Sequence, residues 1–123
     1  SSGILAYINA GHEPVFLVNS SGVKKSLEST GPAVGMMLNM KFEIQQVQME
    51  PGDILIGYTD GVIEALAPNG DLFTRKRLMS ILEQSPSSVS ELVKRIKTGL
   101  STHIHNAPPS DDVTMLAVQR LSQ

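Results

Sequence analysis

The chain has no cysteine. That removes disulfide frameworks, thiolate nucleophiles and cysteine-ligated zinc, and leaves oxygen and imidazole groups to bind a metal or move a proton. Tryptophan is absent too, and two tyrosines and three phenylalanines are too few to build a platform on which bases stack. Positive charge is not in excess: ten Lys and Arg stand against twelve Asp and Glu, for a net charge of -2, so no broad field attracts nucleic acid or an anionic membrane. No apolar run approaches the roughly 20 residues that cross a bilayer, and the N-terminus lacks a basic segment followed by an apolar one. A cytoplasmic chain without nucleic-acid or membrane contact is the expectation. What is present is 123 residues, 41% hydrophobic and 18% charged, the proportions of one globular unit with a mainly aliphatic core. Ser1, Ser2 and Gly3 read as a cloning remnant, and a strand-like run starts at Ile4, so residues 4–123 read as a piece of a larger domain.

Short apolar or alternating runs at 4–10, 14–19 and 23–27 read as hairpins, with Asn19-Ser20-Ser21-Gly22 as a turn. Residues 28–39 carry Gly31, Pro32 and Gly35 without a clean period and predict a shaped loop. Residues 41–49 alternate, with one slip at Gln45-Gln46 that predicts a bulge. Glu50-Pro51-Gly52-Asp53 is a turn, and the apolar run at 54–58 after it is expected to pair antiparallel with 41–49. A short helical turn at 62–67 precedes two amphipathic helices. The first, over 73–84, aligns Leu78, Ile81 and Leu82, and the second, over 89–102, aligns Leu92, Val93, Ile96 and Leu100 behind a Ser87 or Ser88 cap. A loop over 103–110 leads to a last strand at 113–121 whose Val113, Met115 and Ala117 share a face. Strands, two helices and a strand make an α+β layered arrangement without internal repeats.

Two acidic groups stand at the ends of apolar strands: Asp60 follows the run at 54–58, and Asp111-Asp112 precedes the last strand. If the two strands are antiparallel neighbours, these carboxylates meet at one edge of the sheet. Carboxylates brought that close repel unless a cation or proton intervenes, and oxygen donors without cysteine suit Mg²⁺, Mn²⁺ or Ca²⁺. Asp-Gly as a plain turn and Asp-Asp as a strand cap account for the same residues more simply. His12 reads as a hydrogen-bonding turn residue, and Asp53 as the anchor of its own turn. His103 and His105 are expected in an exposed loop without function. The basic faces Arg75-Lys76-Arg77 and Lys94-Arg95-Lys97 read as solvated surface, or as a dock for an acidic protein.

Several of these segments occur together in one order: Asn9-Ala10-Gly11-His12, Pro51-Gly52-Asp53, Tyr58-Thr59-Asp60-Gly61-Val62-Ile63-Glu64-Ala65, Leu72-Phe73, Arg77-Leu78 and Ser110-Asp111-Asp112-Val113-Thr114. In this the chain resembles the SpoIIE-type bacterial serine/threonine phosphatases of the metal-dependent PPM (PP2C-like) superfamily. The resemblance implies a PP2C-like β-sandwich flanked by antiparallel helices, here the incomplete, C-terminal part of the domain. It also implies a two-metal Mn²⁺ or Mg²⁺ site at one end of the sandwich, with Asp60 and Asp111 as ligands to one metal and Asp112 as the alternative to Asp111. In such a site the metals acidify a bridging water, aim it at phosphorus and neutralise phosphoryl charge, with no side-chain nucleophile.

Two departures qualify the resemblance. An early acidic residue and an Asp-x-x-Gly-His-Gly-like segment that supplies the bridging aspartate have no match in residues 1–123, so weak metal binding and low turnover are expected of the isolated chain. Thr74 stands where the family often has glycine. The resemblance implies phosphoserine or phosphothreonine hydrolysis on a regulatory protein such as an anti-sigma-factor antagonist, with a sensor or receiver domain in the parent chain. The competing reading is a non-catalytic interaction or pseudophosphatase module. Sheet edges left open by missing strands imply a homodimer or strand exchange.

Overall fold

The structure is a computed structural model that describes residues 3–7, 9, 12–28, 44–84, 86, 88–105 and 112–121. Its strands are β1 (Ile4–Tyr7), β2 (Val15–Asn19), β3 (Gly22–Leu27), β4 (Gln45–Gln48), β5 (Ile54–Tyr58) and β6 (Met115–Gln119). Its helices are α1 (Asp60–Ile63), α2 (Thr74–Leu82) and α3 (Val89–Ile104). One antiparallel sheet has the order β3-β2-β5-β6, and β1 pairs with β4 in a second. β2 and β3 form the hairpin that the Asn-Ser-Ser-Gly turn predicts, and the Ser21 N–H donates to Asn19 Oδ1 at 2.8 Å.

Alternation along β2 and β5 sends side chains to opposite faces of the larger sheet. Phe16, Val18, Ile54, Ile56 and Tyr58 face the helices and pack with Leu78, Leu82, Leu92, Ile96 and Leu100. Leu17 points the other way and is buried with Leu27, Val47 and Met49, against which Leu5, Tyr7, Val15 and Leu55 also pack. The layers are therefore small sheet, large sheet and helices, each interface closed by aliphatic burial worth about 1.5–3 kcal/mol per large side chain.

α2 and α3 lie antiparallel, because successive contacts run in opposite chain directions. His103 packs edge-on against Phe73 with ring centroids 5.4 Å apart, Gly99 faces Ile81, and Arg95 Nη1 donates to Gln84 O at 3.2 Å. Glycine at 99 permits the close approach, since a Cβ there would lie 2.9 Å from Ile81 Cδ1. Ser88 caps α3 by accepting the Glu91 N–H at 3.1 Å. Among the described residues, no helix is long and apolar enough to cross a membrane.

Several local expectations need correction. β5 does not pair with β4: it lies between β2 and β6, while β4 pairs with β1. Val47 and Met49 belong to the core between the sheets and Ile54 and Ile56 to the core under the helices, so the two strands occupy different layers. Equally, β1 makes no hairpin with β2. The register of β4 against β1 runs without a shift through Gln45 and Gln46, so the sequence slip produces no bulge there. The loop expected over 28–39 is outside the described residues apart from Glu28, and so is the strand start at 41–43.

The turn between β4 and β5 carries the chain from one sheet to the other. Gly52 takes φ 92, a conformation that favours glycine. Asp53 is 3% exposed, and its Oδ2 accepts from Lys24 Nζ at 2.7 Å and from the Glu50 N–H at 2.8 Å. Its backbone carbonyl accepts the Arg120 N–H at 3.0 Å, which ties the start of β5 to the end of β6.

His103 does not lie in a loop. α3 continues through it, Arg77 Nη1 donates to its Nδ1 at 2.7 Å, and its Nε2 bonds Asp71 O at 2.9 Å, so the ring pins the end of α3 to the approach to α2.

Thr74 begins α2 with φ 75, a left-handed conformation that costs a β-branched residue about 1–2 kcal/mol. Glycine removes that strain but has more chain entropy to lose on folding, about 0.5–1 kcal/mol. Thr74→Gly is therefore expected to raise Tm by up to about 5 °C in a calorimetric scan, and a lowered Tm contradicts the strain.

Candidate metal centre

The last pair of the β5–β6 ladder is Tyr58 with Met115, so the next residues outward, Thr59 and Thr114, face each other at the sheet end. The Thr59 N–H donates to Thr114 O at 2.9 Å, and Thr59 Oγ1 accepts the Thr114 N–H at 3.0 Å. The same hydroxyl lies 3.5 Å from the carbonyl oxygens of Asp112 and Thr114. Asp60 follows immediately, as the exposed first residue of α1. Gly61 is buried under the Asp112 backbone: a Cβ on it would lie 2.0 Å from Asp112 O. The antiparallel neighbourhood on which the sequence argument depended is present, and it carries Asp60 and Asp112 to the same edge.

Asp111, the other residue singled out, is outside the described residues. Asp112 is exposed. Among the described residues, no three Asp, Glu or His side chains gather in a way that could hold a metal ion. The donor chemistry nonetheless suits a hard divalent cation, because Mg²⁺ keeps several waters and takes one or two protein carboxylates. Asp60 and Asp112 are of that number and type.

The start of β2 reaches the same end of the sheet, since Phe16 pairs with Ile56. Asn9 is buried, with Nδ2 donating to Leu27 O at 3.2 Å and Oδ1 accepting the His12 N–H at 2.8 Å. The His12 ring bonds Glu13 O at 2.7 Å, so His12 does take the hydrogen-bonding turn role. Glu13 accepts from Arg75 Nη2 at 2.9 Å, which fastens this turn to α2. Both side chains stay partly in water, so the pair contributes at most about 1 kcal/mol. In sequence Arg75 reads as solvated surface, because its partner lies 62 residues away.

In sequence Tyr58 stands only as the strand residue that opens the Thr-Asp-Gly motif, without a role of its own. It is 4% exposed, stacks on Phe16 at 6.0 Å, and its hydroxyl has no hydrogen-bond partner among the described residues. Burial, reinforced by the Glu13 carboxylate, pushes the phenol up to about 12, while the Arg75 guanidinium pulls the other way.

A family model described as Stage II sporulation protein E (SpoIIE) matches residues 1–121. Protein IcfG of Synechocystis sp. is 52% identical over 120 residues, covering 98% of this chain and 19% of IcfG. Phosphoserine phosphatase RsbU of Bacillus subtilis is 30% identical over 116 residues, 93% of this chain and 34% of RsbU. The chain thus spans about a fifth to a third of these curated relatives. In fold it matches the SiaA-PP2C domain of Pseudomonas aeruginosa with a TM-score of 0.82 at 20% identity, over 96% of this chain and 47% of that one.

The raised phenol gives a definite pH dependence. The folded state favours the protonated ring, so this contribution to stability is full below the ordinary value of 10.0 and is lost as pH rises from there through about 12. Denaturant unfolding of the chain and of Tyr58→Phe is expected to differ in that window, the variant lacking this part of the alkaline loss. At neutral pH the variant should be as stable as the parent or slightly more so, because it deletes a buried hydroxyl without a partner. Parallel stability curves across that range contradict the assignment.

Proposed function

The chain belongs to the SpoIIE family, and on that premise we propose that it is the C-terminal part of a metal-dependent phosphatase domain acting on phosphoserine or phosphothreonine. The observation that carries the reading is the junction of β5 and β6, where Thr59-Asp60-Gly61 packs against Asp112-Val113-Thr114. Asp60 and Asp111 are the proposed ligands, with Asp112 as the alternative to Asp111. When bound, Mn²⁺ or Mg²⁺ supplies Lewis acidity that acidifies a coordinated water and neutralises phosphoryl charge. The protein's own share is to hold its carboxylates on rigid strand ends, with an exposed approach for a protein substrate. Support for a divalent ion comes from structural relatives: the SpoIIE phosphatase domain of B. subtilis is known in an Mn-presoaked form, and RsbX in complex with magnesium.

The proposed substrate is a phosphorylated regulatory protein such as an anti-sigma-factor antagonist in the cytoplasm, with a sensor or receiver domain in the parent chain. The name of RsbU, a phosphoserine phosphatase, supports the reaction class. This chain by itself lacks the bridging aspartate segment, so weak metal binding and low turnover are expected of it. Calorimetric titration with Mn²⁺ should show binding that is lost in Asp60→Ala and in Asp111→Ala and kept in Asp112→Ala. Loss in Asp112→Ala alone moves the ligand by one residue, and full binding in Asp60→Ala overturns the site.

A second reading, a non-catalytic module that associates with another chain, draws support from β6. Among the described strands nothing pairs with its outer edge. Leu116 is 69% exposed and Val118 49%, on the face that the small sheet leaves uncovered. The strand Met115-Leu116-Ala117-Val118-Gln119 contains no charge, proline or bulge, the usual guards of an edge. Antiparallel pairing of two copies about Ala117 sets Leu116 of each opposite Val118 of the other, so the edge is self-complementary. Sedimentation equilibrium should show association above the 13.3 kDa monomer, abolished by Leu116→Lys with Val118→Lys. A monomer at every concentration rejects the homodimer, and association that persists in the double variant assigns it, or a strand exchange, to another surface.

A further inference from the structure

Asp60 is flanked by two residues that both bear on the start of β6. On one side Gly61 admits the Asp112 carbonyl where a Cβ would lie 2.0 Å from it. On the other, Thr59 joins the opposite segment through its backbone N–H, 2.9 Å from Thr114 O, and through its hydroxyl. That hydroxyl accepts the Thr114 N–H at 3.0 Å and lies 3.5 Å from both Asp112 O and Thr114 O, to one of which its single proton is donated at a time. These contacts lie beyond the last ladder pair, Tyr58 with Met115, where regular strand pairing no longer determines the spacing of the two segments.

The residue type follows from the task. Position 59 needs one group that accepts from an amide and donates to a carbonyl, on a stem of a single carbon. Serine and threonine meet this, whereas valine, of the same shape, does neither. The β-branch of threonine also restricts χ1, which holds the hydroxyl toward β6 without further contacts.

We infer that Thr59 is a positioning residue that sets the separation of the Asp60 and Asp112 backbone segments and thereby the geometry offered to a divalent cation. It is not a ligand. The inference deepens the phosphatase reading and rests on it for the identity of what binds. The spacing itself is a property of the chain alone and can be read without metal.

The test uses Thr59→Val and Thr59→Ser, with Lys24→Met as a control that weakens the opposite end of the sheet by removing the partner of Asp53. In metal-free chain, Thr59→Val should speed amide exchange at Thr114 and shift the backbone resonances of Asp60 and Asp112, and Thr59→Ser should restore both. With Mn²⁺ as the probe, Thr59→Val should weaken binding by roughly 10–100-fold, the range for groups that orient ligands. Thr59→Ser should recover it, while Lys24→Met lowers Tm and leaves the affinity unchanged. Wild-type affinity in Thr59→Val, no recovery in Thr59→Ser, or an equal loss in Lys24→Met overturns the inference. If the parent chain binds no Mn²⁺, the metal reading falls, and the amide measurements alone decide whether Thr59 sets the spacing.

Discussion

β5 takes backbone hydrogen bonds on both edges, from β2 on one side and β6 on the other, and it is buried on both faces. Ile54, Ile56 and Tyr58 enter the core beneath the helices, and Leu55 packs against the core between the sheets. Both cores depend on this strand, and so does the acidic edge, because Asp60 follows it and Asp112 precedes the strand beside it. Its two ends are fixed differently. The start is held by a buried carboxylate with a lysine and a turn amide as partners, and the far end by a threonine hydroxyl among backbone groups. A lysine and a buried carboxylate hold the start, whereas the β5–β6 junction beside the exposed acids is itself joined by a threonine hydroxyl and backbone groups.

Much of this arrangement is written locally. The Asn-Ser-Ser-Gly turn, the apolar run of β5, the stripes of α2 and α3 and the Ser88 cap each need only neighbouring residues, and each is found where the sequence puts it. Partner choice between strands is another matter. Residues 41–49 and 54–58 are joined by a Pro-Gly turn that suits a hairpin, yet Val47 and Ile54 are claimed by different cores. A short-range pattern cannot report which layer a strand enters. The helical place of His103 is hidden for the same reason: Asp71 and Arg77 are 32 and 26 residues away, and the proline-rich sequence just beyond it favours a loop.

The acidic edge was legible as two separate ends of strands, and the family resemblance joined them. The residues that make the junction work stand in the sequence only as parts of a motif. Glycine at 61 reads as half of an Asp-Gly turn until the Asp112 carbonyl is seen to occupy the space of its missing side chain. Thr59 reads as spacing until the far strand supplies its three backbone partners. Roles of this kind belong to contacts across 53 and 55 residues and leave no periodic trace in sequence.

The β5–β6 pairing also orders events in the life of the chain. During synthesis β2, β3 and β5 emerge with the three helices before β6 exists, so one edge of the most apolar strand stays open until β6 has been made. Through that interval Ile54–Tyr58 offers unpaired amides and carbonyls to any neighbouring nascent chain, and such open edges are where association of incomplete chains begins. Formation of β6 closes that edge and brings Asp112 beside Asp60 in the same step, so a chain that stops short of β6 leaves the edge open and the two acidic segments apart.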